Sequence, residues 1–444
     1  MNRLGAVEID DRKIFEQESP AGRIAREELA ALSPRLSEAQ DWMGRMEKEG
    51  RIGYRTLPDQ DVRPILRAAR RVREAADDLV VIGIGGSSLG AVALQAALAH
   101  PFHNLLPRKT RKGPRVFFLE NPDPDYLAAV LDTLNLRKTV VNVVTKSGGT
   151  AETMANFLVI RKVLSKAVGK KHAERVIATT DQDTGDLLVI AREEGYATLP
   201  VPSNVGGRFS TLTAVGLFPA AAAGIDIRGL LAGAREMRQR TGAPSMETNA
   251  AWRLAGILYL ADKLRGKRAV VFMPYATALR EVGFWFRQLW AESLGKARDR
   301  EGREVHTGQT PIAASGPVDQ HSQLQLYMEG PDDKVYVFVR AARFGRRVPI
   351  PRAFSGSKTC ALLGGHELGG LMNAEQAATE EALHQAGRPV IRIDLPAVSP
   401  HAVGQLLFLL EEATVVAGGL LRIDPFDQPG VELSKILTKR ELEK

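Results

Sequence analysis

The feature that most restricts the fold is a series of short apolar runs, rich in β-branched residues, each followed by a helical stretch. "DLVVIGIG" (78–85), "RVFFLEN" (115–121), "TVVNVVT" (139–145) and "ERVIATTD" (174–181) form the first series. Stretches such as "SLGAVALQAALAH" and "ETMANFLVIRKVLSKAV" separate them. Strands alternating with helices imply a parallel sheet with helices on both faces. A second series, "RAVVFMPY", "KVYVFVR" and "PVIRIDLP", follows a long helical region at 227–265. The chain therefore holds two α/β sheets, as its 444 residues, too many for one core, also suggest. The seam falls near 225–250, at the Ala-rich "LFPAAAAGIDIRG" and the polar "GAPSMETN". Residues 1–50 read as charged and helical, with apolar positions three to four apart, and Pro34 is expected to divide them into two helices.

Composition removes several classes of function. With 44% hydrophobic and 25% charged residues the chain has the balance of an ordinary soluble globular protein. Cys360 is the single cysteine, so no intrachain disulfide forms, and a reducing cytoplasm is the expected location. One cysteine without a close pair of histidines also argues against a structural zinc site, and no metal is expected. No uninterrupted apolar run reaches the ~18 residues of a membrane span. The opening "MNRLGAVEIDDRKIFEQ" lacks the apolar core of a signal peptide. The net charge of +8 raises nucleic acid as a partner. However, the basic clusters "PRKTRKGPR" (107–115) and "KAVGKKHAER" (166–175) lack interleaved aromatic residues and read as solvated faces. A diffuse positive field of this kind draws small anions.

Two strands of the first series end alike. One runs into "GIGGSSLG" (83–90), the other into "TKSGGTAET" (145–153), and each then enters a helix. Ligands of open parallel sheets bind at the carboxyl ends of strands, where helix N-termini present unpaired N–H groups and partial positive charge. Glycines admit an anion close to the backbone, and Ser and Thr hydroxyls add hydrogen bonds. A dinucleotide fingerprint fails because the third residue after Gly85 is Ser88. A P-loop fails because Gly90 is followed by Ala91 and Val92. A single terminal phosphate, as on a sugar, fits better. Taken singly, each loop also reads as a tight turn with capping hydroxyls.

Other stretches carry candidate chemistry. In "EVGFWFRQLWAESLGK" (281–296) Glu292 shares one helix face with Gln288, Leu289 and Trp285, a setting that suits a general base. On these residues alone, a surface residue at a helix edge is the plainer reading. "GGRFSTLTAVG" (206–216) sets Arg208 beside two glycines, and "GPVDQHSQLQ" (316–325) puts His321 in a polar loop. "PFDQPGVELSK" (425–435) brings Gln428, Glu432 and Lys435 into one segment, where seven-residue spacing would align Gln428 with Lys435 on a helix.

"NVGGRFSTLTAVG" (204–216) and "GLLRIDPFDQPGVELSK" (419–435) resemble the two signature segments of the glucose-6-phosphate isomerase family. "GIGGSSLG", "TKSGGTAET", "QLWAESLGK" and "GPVDQHSQ" resemble its other active-site blocks, in the same order. The resemblance implies the sugar-isomerase (SIS) fold group: two flavodoxin-like, doubly wound subdomains with helical extensions that embrace a second subunit. Boundaries on that basis are 1–50 for an N-terminal helical extension, 51–225 and 226–410 for the SIS subdomains, and 411–444 for a C-terminal segment. It implies that Thr145, Lys146, Ser147 and Thr150 hold the 6-phosphate, with Gly86 and Ser87 nearby. Glu292 would be the base between C2 and C1, and Arg208 the cation beside the enediolate. His321 and Lys435 would open the ring, supported by Gln428, Gln288 and Glu152. The implied activity is the reversible isomerisation of glucose 6-phosphate and fructose 6-phosphate, without cofactor or metal, in a homodimer that shares its active sites. Two alternatives stand beside it: another SIS-group isomerase, or a sugar-phosphate-binding regulator without catalysis. The intact catalytic set and the lack of a helix-turn-helix module count against the regulator.

Overall fold

The computed structural model describes residues 5–444. The chain separates into two compact units. One comprises Met46–Arg235 and Ser399–Gly404; the other takes the segment up to Arg45, Glu236–Val398 and Gln405–Lys444. The twelve strands among the described residues are β1 (Glu8–Asp10), β2 (Asp78–Ile82), β3 (Arg115–Leu119), β4 (Thr139–Val144), β5 (Val176–Asp181), β6 (Ala197–Val201), β7 (Ala269–Tyr275), β8 (Lys296–Arg298), β9 (Glu304–Thr307), β10 (Thr310–Ala313), β11 (Lys334–Arg343) and β12 (Val390–Ala397).

The first unit carries a parallel five-stranded sheet in the order β3-β2-β4-β5-β6. Every residue of β2, β4 and β5 is buried, which is why those strands read as unbroken apolar runs. Val80, Ile82, Val141 and Val143 pack with Phe157, Ile160 and Leu164 of the helix Ala151–Val168. Each such buried side chain contributes about 1.5–3 kcal/mol relative to exposure. From β2 the chain steps outward to β3, then returns to place β4 on the other side of β2. The carboxyl ends of β2 and β4 thus flank the point where strand order reverses, the crevice at which sheets of this kind bind ligands.

The second unit's sheet has the order β1-β12-β11-β7-β10. Its pairings are parallel except for that of β1, which runs antiparallel to β12 with Ile9 opposite Ile393. The N-terminal segment is therefore not wholly helical, and three residues are too few for an alternation to show. Its helices are Arg12–Glu16, Arg26–Ala30 and Ser33–Lys48. The expected division occurs just ahead of Pro34, which sits in the first turn of the third helix, where a missing N–H costs nothing. Helices Ile227–Arg240 and Ala250–Arg265 form the helical region ahead of β7. Asn249 caps the second by accepting from the Trp252 N–H at 3.1 Å.

The helix Pro400–Leu420 is long and apolar enough to cross a membrane by length and composition, but its apolar stretch is wholly buried in the fold. It also contains Glu411 and Glu412, both buried.

Candidate active site

In the first unit three loops meet at one end of the sheet. The loop after β2 turns through Gly85, at φ +60°, into the helix Leu89–Leu98. The loop after β4 turns through Gly148, at φ +80°, into the helix Ala151–Val168. The third follows β6 and carries Arg208. Gly86 packs so closely on this third loop that a Cβ would lie 2.3 Å from the carbonyl carbon of Gly207. Ser210 Oγ fastens the two by donating to the carbonyls of Gly86 (3.0 Å) and Gly207 (2.7 Å). One step along, a Cβ on Gly90 would meet Thr211 Oγ1 at 2.2 Å. Glycine is needed in the first loop for backbone contact, independently of any ligand.

The β4 loop is braced from within. Thr145 Oγ1 lies 3.2 Å from Thr150 Oγ1 and accepts from the Gly148 N–H at 3.2 Å. Ser147 Oγ accepts from the Gly149 N–H at 3.1 Å, while Ser147 itself is exposed. Lys146 Nζ donates to the carbonyls of Ser203 and Val205. Burial holds its pKa below the usual lysine value, against the attraction of Asp181. Ser87 ends the short turn Gly85–Ser87 and is half-buried. Glu152 is half-buried in the first helical turn after Thr150, where a carboxylate also suits the helix dipole. Arg208 is 3% exposed, so its charge is fixed in place by the surrounding fold. Gly86, Ser87, Thr145, Lys146, Ser147, Thr150, Glu152 and Arg208 thus all belong to loops and helix starts at the carboxyl end of one sheet.

In the second unit Glu292 occupies the last turn of the helix Arg280–Leu294, half-buried. Gln288 Nε2 donates to its Oε1 at 3.0 Å, as spacing by one turn requires. Trp285 and Leu289 on the same helix are buried. Gln428 has φ −153°, ψ 63°, and Pro429 starts a separate short turn, Pro429–Val431. Lys435 belongs to the next helix, Glu432–Leu442, where its Nζ pairs with Glu432 Oε1 at 2.7 Å in solvent. The expected helical alignment of Gln428 with Lys435 therefore does not occur: Gln428, the residue before a proline, is held out of the helical region, so no helix spans both.

His321 is exposed in the loop after β10. Asp319 shapes that loop, its carboxylate accepting from the Ser315 N–H (2.7 Å) and Ser322 Oγ (2.6 Å). His321 and Glu292 lie toward opposite ends of the second sheet. The helix Arg280–Leu294 begins after the carboxyl end of β7 and runs back, and a Cβ on Gly308, two residues before β10, would lie 2.8 Å from the Cα of Gly295. Glu292 is thus near the amino end of β10, and His321 lies past its carboxyl end. Within this unit the structure brings Glu292, Gln288 and the Gln428 segment together, and leaves His321 apart.

Lys296 escaped the sequence reading. It is 8% exposed and donates from Nζ to the carbonyls of Glu292 (2.6 Å) and Asp427 (2.9 Å). A lysine after a helix-ending glycine reads as a surface residue. The available signal was a cation following a helix C-terminus, where orphan carbonyls seek donors.

The chain is similar to known proteins along almost its whole length. A protein named glucose-6-phosphate isomerase from Rubrobacter xylanophilus is 46% identical over 98% of both chains. One of the same name from Carboxydothermus hydrogenoformans is 43% identical over 98% of this chain and 94% of its own. A crystal structure of a hypothetical protein from Thermus thermophilus superposes with a TM-score of 0.87 at 38% identity, covering 99% of this chain and 100% of that one. A glucose-6-phosphate isomerase from Chlamydia trachomatis, 24% identical, shares the fold with a TM-score of 0.81 over 98% of this chain and 91% of its own. The family model described as phosphoglucose isomerase matches residues 69–444, and the chain belongs to that family.

Proposed function

We propose that this chain interconverts glucose 6-phosphate and fructose 6-phosphate. The observation that carries this is the convergence of two glycine–hydroxyl loops with the Arg208 loop at the strand-order reversal of the first sheet. Thr145, Ser147 and Thr150, with backbone N–H groups around Gly86 and Ser87, receive the phosphate dianion, and Lys146 adds charge beside them. Fixing this remote group orients the sugar, so its binding energy serves the chemical step.

Lys435 and His321 move a proton between the ring oxygen and O1, which opens the ring. Glu292 removes the C2 proton; the electron pair becomes the C1–C2 double bond and the carbonyl oxygen O1 takes the negative charge. Arg208 stabilises this enediolate, a task suited to a cation held rigid by burial. The remaining hydroxyl proton passes from O2 to O1, and Glu292 returns its proton to C1 to give the ketose. Gln288 orients Glu292 through their hydrogen bond. Gln428 and Glu152 supply supporting contacts.

The separation of His321 from Glu292 within one chain supports a homodimer in which each site draws His321 from the partner subunit. A cytoplasmic location fits the single cysteine. The deciding experiment incubates purified protein with fructose 6-phosphate and couples product to a glucose-6-phosphate dehydrogenase. Production of NADPH dependent on the protein is the expected result; none, with the folded chain, refutes the reading.

A further inference from the structure

Lys296 is a buried cation to which the chemistry above gives no task. It is in place because of how its helix ends. A Cβ on Gly295 would lie 2.8 Å from the Ala291 carbonyl oxygen, and one on Gly308, at φ +121°, would lie 2.8 Å from the Leu294 carbonyl oxygen. This crowded two-glycine closure turns the chain from the helix Arg280–Leu294 into β8, where Lys296 faces Thr307 of β9. The side chain folds back across the helix end, and Nζ donates to the Glu292 carbonyl at 2.6 Å. That carbonyl is one of the last four of the helix, which lack partners within it and carry the negative end of its dipole.

The same ammonium donates to the Asp427 carbonyl at 2.9 Å and lies 3.4 Å from Asp427 Oδ1. The segment that supplies Asp427 is already anchored upstream. Phe426 stacks with Trp42 at 6.5 Å, its N–H donates to Asp424 Oδ1 at 2.9 Å, and Pro425 packs on Gly418. From Asp427 onward every residue is exposed, including Gln428 and Lys435. Lys296 therefore grips the chain where it leaves the packed interior, and ties that point to the turn bearing Glu292.

We infer that Lys296 is a positioning residue for the isomerase reaction: it sets Gln428 and the segment leading to Lys435 at a fixed distance from Glu292. This rests on the isomerase reading, and the test separates the two. Lys296→Met in the full chain keeps most of the apolar volume and removes all three donors. The expected result is a kcat lower by roughly 10–100-fold, since a displacement of ~1 Å at a catalytic group can cost 10² in rate. KM should be little changed, because phosphate recognition lies in other loops. Amide hydrogen exchange should rise across 427–435 and stay unchanged in the β2 and β4 loops. Lys296→Arg, which retains a charged donor, should recover part of kcat. If Lys296→Met does not fold, Lys296→Gln, too short to bridge both carbonyls, is measured in the same way. A folded variant with wild-type kcat overturns the inference, as does a general rise in exchange with kcat and KM altered together. A wild-type chain without isomerase activity, whose variant still loosens only 427–435, refutes the isomerase reading and with it the catalytic role of Lys296, leaving a tether alone.

Discussion

Glu292→Gln keeps the hydrogen-bonding shape that Gln288 meets at 3.0 Å and removes the proposed base. Turnover should fall by about 10²–10⁴-fold, the span seen when a general base is lost. Sugar phosphate should still bind, measured by calorimetry; near wild-type turnover would remove Glu292 from the mechanism. Ser147→Ala combined with Thr150→Ala deletes two hydroxyls of the β4 loop, one of which, Ser147 Oγ, also braces the Gly149 N–H. KM for fructose 6-phosphate should rise about tenfold or more, as the loss of one to two hydrogen bonds to a charged group implies. An unchanged KM would make the loop a turn and nothing else. At this scale the sequence was informative where a residue's neighbours are near in the chain. Glu292 and Gln288 are one helical turn apart, and the hydroxyls cluster within six residues. It was silent on Lys296, whose second partner lies 131 residues away. It misled on Gln428 and Lys435, because equal spacing implies one face only if a single helix spans both.

Among the elements, the helix Pro400–Leu420 holds the most unusual group. Glu411 is fully buried, and neither carboxyl oxygen has a hydrogen-bond partner among the described residues. Burial, with Glu412 adjacent, raises its pKa well above the ordinary 4.5. The folded chain thus keeps a proton that the unfolded chain releases. Its contribution to stability is full below pH 4.5 and is lost as pH rises through the higher folded value. Glu411→Gln cannot ionise, so calorimetric melting across that range should show a flatter pH profile and a higher Tm than wild type on the alkaline side. An identical slope in both proteins would show that Glu411 does not carry the proton. Legibility among strands follows the same physics. β2, β4, β5 and β7 are buried along their whole length and stand out as apolar runs. β6, an edge strand with Pro200 and alternating exposure, does not. Nor do β1 and β10, at three and four residues, or the ribbon of β8 and β9, exposed apart from Lys296 and the half-buried Thr307.

For the whole molecule, the arrangement of the second sheet bears on assembly. If His321 serves the partner's Glu292, chains bearing Glu292→Gln and chains bearing His321→Ala complement one another. After dissociation and random reassociation, half the dimers are mixed, and each has one site with both groups intact. Activity should recover to about a quarter of wild type for a two-fold symmetric pair. No recovery, with exchange confirmed by mass spectrometry, would assign His321 to its own chain. The two-sheet organisation was readable from the alternation of runs; the placement of Glu292 and His321 at opposite ends of one sheet was not, because it depends on β10 lying beside β7 rather than beyond β11. If sites are shared in this way, the enzyme's rate becomes a function of its own concentration. An isolated chain would hold every catalytic group and still be inert, so progressive dilution below the dissociation constant of the pair should lower specific activity, and added unlabelled protein inactive at Glu292 should partly restore it.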